Sequence, residues 1–368
     1  MSKWIACDVE EAFFGDNRKL NKQERKKLKA KDRSKFKKTD QDKMLQKPVK
    51  PVEQHLLKGR VLSVTPQGFQ VQYENSLITC TLRGILKKEK SLQKNLVTVG
   101  DLVYFELLDD NEGAISHIEP RKSVLSRADN LSRKKEQLIA ANVDTVFIVS
   151  SVVFPPLKPS LLDRYIIAAK KGGMQPVIVI NKIDLLKEDT PAAEEERSLV
   201  EMIKASYSHA NIPVLFISII SGEGISELER AMENKTSVFS GQSGVGKTSL
   251  INHLIGSDFK TASPVEKTKK GAHTTTTTQL IPLQHGGFCI DTPGIKSFGV
   301  WNLKLDEIEN YFSEIHALGL HCKYQDCSHS HEDQCAVIQA VEQGEILPLR
   351  YHSYLALRES VGEDYLRR

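Results

Sequence analysis

Gly241, Gly246, Lys247 and Thr248 stand at the spacing G-x4-G-K-[ST], inside the run Phe239-Ser240-Gly241-Gln242-Ser243-Gly244-Val245-Gly246-Lys247-Thr248-Ser249-Leu250. Glycines there let backbone N–H groups converge on phosphate oxygens, and a following helix N-terminus adds partial positive charge. The pattern assigns Lys247 to the β- and γ-phosphates and the Thr248 hydroxyl to Mg²⁺. Gln242, Ser243, Gly244, Val245 and Ser249 complete the cradle. A second set is Asn181-Lys182-Ile183-Asp184, the N-K-x-D pattern of guanine recognition. Asp184 can accept hydrogen bonds from the two N–H donors on one edge of guanine, which adenine does not offer. Lys182 would lie along the base and Asn181 would brace the loop. Ser218 and the backbone near Ser221 close the base pocket.

Downstream, Phe288-Cys289-Ile290-Asp291-Thr292-Pro293-Gly294 is an apolar run ending in D-x-x-G. Asp291 would hold Mg²⁺ through water, and the Gly294 N–H would meet a γ-phosphate. Between the phosphate loop and this run lies Gly271-Ala272-His273-Thr274-Thr275, in a polar segment suited to a switch threonine. Thr274 and Thr275 are the candidate ligands. From Thr276 onward the threonine run reads equally as the start of a strand.

Cys322-x4-Cys327-x-His329-x5-Cys335 offers three thiolates and an imidazole, a set that matches one closed tetrahedral Zn²⁺ site. A closed site implies a structural ion. His321 and His331 flank the set, and a disulfide with a spare thiol is the competing reading. The isolated Cys289 in a strand beside the nucleotide motifs argues for a reducing compartment, so a cytoplasmic address is expected.

These residues need elements to hold them. Val143–Val149, Pro176–Ile180 and Val214–Ser218 are apolar runs suited to strands buried on both faces. They alternate with helical stretches from Pro159 and over about 192–206. The phosphate loop is expected between a strand at Ser237–Phe239 and a helix beginning at Leu250. Alternating βα units mean a mainly parallel sheet, with ligands at the carboxyl ends of the strands. Upstream, Gly59–Val64, Gly68–Tyr73, Leu77–Leu82, Leu102–Leu108 and Ala114–Ile118 alternate with turn signals. Five short strands fit a small barrel, an OB-fold or an SH3-like alternative. Arg121, Lys122, Arg127, Arg133, Lys134 and Lys135 read as a basic connector, and residues 336–368 read as helical.

The chain has 368 residues and a net charge of +4, room for several cores. Residues 17–50 concentrate the basic charge, with fifteen Lys/Arg against four acids, so the remainder is acidic on balance. With almost no aliphatic residues, that tail is expected to be disordered, either an RNA-neutralising arm or a solvated extension. No apolar run reaches the roughly 18–20 residues that span a bilayer, and no signal-peptide pattern opens the chain.

With these motifs assembled, the chain resembles the RsgA (YjeQ/EngC) family of circularly permuted GTPases. Further segments that carry the resemblance are Ala140-Ala141-Asn142-Val143-Asp144 and Leu162-Asp163-Arg164-Tyr165. The resemblance implies a multidomain α/β protein: a basic tail over residues 1–50, an OB-fold barrel over 51–120, a circularly permuted P-loop GTPase domain over 121–300 and a zinc-binding helical module over 301–368. It implies a monomer that binds the small (30S) ribosomal subunit and its rRNA late in maturation. GTP hydrolysis to GDP and phosphate is then stimulated by the subunit and coupled to release. Ordinary G proteins place N-K-x-D after D-x-x-G, and here it comes first, as though the sheet were cut and rejoined. Ile295 stands where many G proteins carry a water-positioning glutamine, so intrinsic turnover should be slow. His273 is the candidate to orient water, with a plain loop histidine as the other reading. A P-loop ATPase or kinase acting on nucleic acid is the competing class, and N-K-x-D opposes it.

Overall fold

A computed structural model describes residues 56–83, 96–128, 136–187, 191–256, 278–291 and 303–366. The expectations for the basic tail and for His273, Thr274, Thr275, Gly294 and Ile295 lie outside these residues.

The first five strands are β1 (Leu57–Thr65), β2 (Gly68–Tyr73), β3 (Ser76–Leu82), β4 (Leu102–Asp109) and β5 (Glu112–Ile118). They run in the order β1-β2-β3-β5-β4, and β4 returns to pair with β1. The β3–β5 pair is parallel and the others are antiparallel. This closed order is an OB-type barrel, which removes the SH3-like alternative. Val61, Val71, Ile78, Cys80, Val103, Phe105 and Ile115 fill its interior.

Between barrel and sheet, β6 (Val124–Ala128) and β7 (Glu136–Ala141) form an antiparallel hairpin where the sequence reads as a basic connector. Leu125, Leu138, Ala140 and Ala141 are buried, so this segment is an anchored element rather than a linker. Charge density masks these apolar positions, whose value depends on what packs above them.

The G-domain strands are β8 (Thr145–Ser151), β9 (Gln175–Asn181), β10 (Val214–Ile217), β11 (Thr236–Ser240), β12 (Gln279–Pro282) and β13 (Phe288–Asp291). Their spatial order is β10-β9-β8-β11-β13-β12, parallel except for the β13–β12 pair. Among the described residues β12 begins at Gln279, and Thr276 and Thr277, the expected start of that strand, lie outside them. All seven residues of β8 are buried, because helices cover both faces of the sheet. Val146 and Ile148 pack with helices α1 (Pro159–Lys171) and α2 (Pro191–His209). Phe147 and Val149 pack on the other side, with α3 (Ile225–Met232) and α4 (Lys247–Gly256). The two-residue period of the strand sorts these side chains to opposite layers.

The chain closes with α5 (Leu305–Ile308), a 3₁₀ turn (Glu309–Tyr311), α6 (Ser313–Gly319), α7 (Ala336–Glu342) and α8 (Pro348–Leu366). Ile308, Phe312, Ile315, Val337, Tyr354 and Leu357 build their core, and Ile167 of α1 joins it. No helix among the described residues is long and apolar enough to cross a membrane.

Candidate nucleotide site and metal centre

The phosphate loop leaves β11, whose five residues are all buried, and turns immediately into α4. The helix starts at Lys247, three residues before the expected Leu250. The Leu250 N–H already bonds the Gly246 carbonyl at 2.9 Å, so Lys247, Thr248 and Ser249 form the first turn. Their N–H groups are those a helix leaves without internal partners. Apolar periodicity shows only from Leu250, which is why the sequence places the start late. Two glycines are demanded by contact. A Cβ on Gly241 would lie 2.0 Å from the Val149 carbonyl oxygen, and one on Gly246 would lie 2.5 Å from Asn181 Nδ2. Both also take positive φ, +142° and +97°.

Lys247 donates from Nζ to the Gly241 carbonyl at 2.7 Å and to the Gln242 carbonyl, and burial holds its pKa below the ordinary lysine value. Thr248 and Ser249 are exposed at the loop mouth, and so are Ser243 and Gly244. Val238 pairs with Ile290, which sets Asp291 level with Phe239 at the edge of the phosphate loop.

The guanine motif is wired into this loop. Asn181, the last residue of β9, donates from Nδ2 to the Val245 carbonyl at 2.9 Å and accepts the Lys182 N–H on Oδ1 at 2.8 Å. Lys182 takes φ +67° and donates from Nζ to the carbonyls of Gly244, at 2.8 Å, and Phe154. Ile183 is buried beneath the motif. Asp184 Oδ1 accepts the Ser218 hydroxyl at 2.5 Å, and Ser218 Oγ accepts the Ser221 N–H at 3.2 Å. Thus N-K-x-D, the phosphate loop and the turn after β10 form one hydrogen-bonded unit.

Two contributors escape sequence reading. The Phe154 carbonyl is a backbone group, and Ser151 holds that loop by donating to the Pro155 carbonyl at 2.7 Å. Neither carries a motif signal.

Cys322, Cys327, His329 and Cys335 bring their ligand atoms within 4.8 Å of one another; His321 and His331 stand outside the set. Cys322 Sγ and Cys335 Sγ are 3.8 Å apart, and His329 Nδ1 lies 3.5 and 3.4 Å from them. A tetrahedron with Zn–S of about 2.3 Å and Zn–N of about 2.0–2.1 Å has edges of about 3.5–3.8 Å, so the donors fit zinc. Burial pushes the Cys327 thiol up to about 12 in the metal-free protein. A bound cation reverses that cost by ligating the thiolate. Tyr351 braces the site by donating its hydroxyl to the His329 carbonyl at 2.8 Å.

Family models match along this same architecture: "RsgA N-terminal domain" over residues 58–115 and "RsgA GTPase" over residues 118–301. A Bacteroides fragilis protein named small ribosomal subunit biogenesis GTPase RsgA is 36% identical over 314 residues, 84% of this chain and 99% of the relative. The chain belongs to the RsgA family. An RsgA protein of Haemophilus influenzae with the same name is 38% identical, covering 83% of this chain and 86% of its own length. Among solved structures, YloQ, titled a circularly permuted GTPase, superposes with a TM-score of 0.67 at 27% identity. That match covers 86% of this chain and 99% of YloQ. YjeQ from Thermotoga maritima also gives 0.67, at 29% identity, over 83% and 98% of the two chains. The sheet order above is therefore that of a permuted RsgA GTPase, in which the strand bearing N-K-x-D precedes the phosphate loop in the chain. The ATPase or kinase alternative is not favoured.

Proposed function

We propose that this chain hydrolyses GTP on the small ribosomal subunit late in its maturation, and that hydrolysis releases it. The observation that carries the reading is that Asn181 and Lys182 bond the phosphate loop while Asp184 of the same motif bonds Ser218, which supports a base site joined to a phosphate site. The names of the Bacteroides and Haemophilus relatives support the subunit as partner.

Asp184 reads the base edge, Lys182 covers its face, and Asn181 with Ser218 holds the pocket's shape. Gly241 to Ser249 wrap the phosphates, with Lys247 moving from loop carbonyls to the β- and γ-oxygens. Thr248 and Asp291 would hold Mg²⁺, which when bound neutralises charge on those oxygens. Thr274 or Thr275 and the Gly294 N–H sense the γ-phosphate, and His273 orients the attacking water when the subunit is bound. With Ile295 after D-x-x-G, the chain alone turns over slowly. Cys322, Cys327, His329 and Cys335 would hold one structural zinc. The basic tail contacts rRNA, and the protein acts as a cytoplasmic monomer.

The test is GTP hydrolysis at fixed Mg²⁺ with and without purified small subunits. Turnover should rise by orders of magnitude with subunits, and His273→Ala should keep GTP binding while losing that rise. Normal GTP binding with no stimulation would mean the partner is wrong.

A further inference from the structure

Glu309 opens the 3₁₀ turn that follows α5, shortly after the D-x-x-G segment, yet its carboxylate lies against the metal-ligand set. Its Oε2 is 3.4 Å from His329 Nε2, and its Oε1 is 3.2 Å from His316 Nδ1. His329 is 2% exposed, and its Nε2 closes no aligned hydrogen bond within the protein. The other ring nitrogen, Nδ1, faces the sulfurs of Cys322 and Cys335. The ring thus has a ligating edge and an outer edge, and the outer edge looks at Glu309. Gly319, the last residue of α6, makes this approach possible: a Cβ there would lie 2.7 Å from Glu309 Oε1 and 3.1 Å from His329 Nε2.

A histidine that ligates a metal through one nitrogen donates its other N–H to a carboxylate, carbonyl or water, which fixes the tautomer and raises ligand basicity. Leaving a buried N–H unpaired costs free energy. We propose that Glu309 is the positioning residue of the zinc centre: it accepts the His329 Nε2–H, aims Nδ1 at the thiolates, and ties the turn after the D-x-x-G segment to the ion. This rests on the zinc reading of the Cys3His set. Because binding couplings are reciprocal, zinc then stabilises the Glu309–Tyr311 turn as much as the turn stabilises zinc.

The experiment is zinc competition against a chromogenic chelator on the full chain, with thermal stability of the metal-free protein measured in parallel. Wild type should take up one zinc, and Glu309→Gln should lose about 10- to 100-fold in zinc affinity with metal-free stability unchanged. Gly319→Ala, which pushes the carboxylate off the imidazole, should lose affinity in the same direction. Glu307→Gln, whose exposed carboxylate pairs with Lys171 at 3.0 Å, should keep wild-type affinity. Wild-type affinity in Glu309→Gln would overturn the assignment, as would an equal loss in Glu307→Gln, which would make it a bulk charge effect. Absence of zinc uptake by wild type would instead remove the metal reading beneath it.

Discussion

Asp184 is held by Ser218, whose hydroxyl occupies one lone pair of the carboxylate Oδ1. A hydrogen bond to a charged group is worth about 1.5–3 kcal/mol, which corresponds to roughly 10- to 150-fold in affinity. Asp184→Ala should therefore cut the preference for GTP over ATP by about that factor, read by nucleotide competition, with the fold retained. An unchanged preference would place base recognition elsewhere. Lys247 illustrates a different residue-scale point. Its ammonium sits on the carbonyls of Gly241 and Gln242, so the loop itself holds the charge that the motif assigns to phosphates. Moving it to a phosphate exchanges neutral acceptors for an anionic one, a stronger partner.

At the scale of elements, the site is three strand ends and the turns after them: β9 into N-K-x-D, β10 into the Ser218 turn, and β11 into the phosphate loop. Their parallel register puts all three at the carboxyl edge of one sheet. The turns touch so closely that Gly246 has no room for a side chain beside Asn181. Gly246→Ala must push these turns apart and hold a positive φ, a cost of about 1–3 kcal/mol. GTP affinity should fall by about 5- to 150-fold, measured with a fluorescent nucleotide, while the circular dichroism spectrum stays unchanged. The strands were legible because parallel burial makes them near-continuous apolar runs. The β6–β7 hairpin was not, since Leu125 and Leu138 acquire partners only when the barrel and the sheet close over them.

Across the whole molecule, a buried ion pair joins the C-terminal module to the G domain. Arg350 of α8 binds Asp163 of α1 and reaches Glu314 Oε1 at 2.6 Å, and its guanidinium lies over the rings of Phe312 and Tyr207. Asp163 and Arg350 are both almost fully buried. Arg164 adds a bond to Ser360 at 2.6 Å. The D-x-x-G segment leads into this module along the chain, but any swing of the module must carry α1 or break the pair. Removing one partner of a buried pair costs about 3–5 kcal/mol, because the other charge is stranded. Arg350→Ala should destabilise the module by that amount in denaturant unfolding. Removing Asp163 as well should cost clearly less than the two single losses combined. Additive losses would show that the two charges do not act as a unit. At the other end, Arg60 of the barrel donates to Thr236 Oγ1 at 2.7 Å and to the Asn142 carbonyl at 3.2 Å, fastening β1 to the base of the phosphate-loop strand.

Motif spacing alone determined the phosphate-loop pattern, the N-K-x-D pattern, the Cys3His set and their permuted order, because each is a local run whose chemistry depends on neighbours in sequence. The barrel needed strand pairing to be identified: five alternating runs are compatible with several closures, and the parallel β3–β5 pair settles the OB order. Tertiary structure alone decided the contacts that unite the parts. Asn181 reaches Val245, Glu309 reaches His329, and Arg350 reaches Asp163 across 64, 20 and 187 positions of the chain. A charged or amide side chain gives no hint in sequence of whether it will face water or a buried partner. Only the packing that removes the water makes that choice.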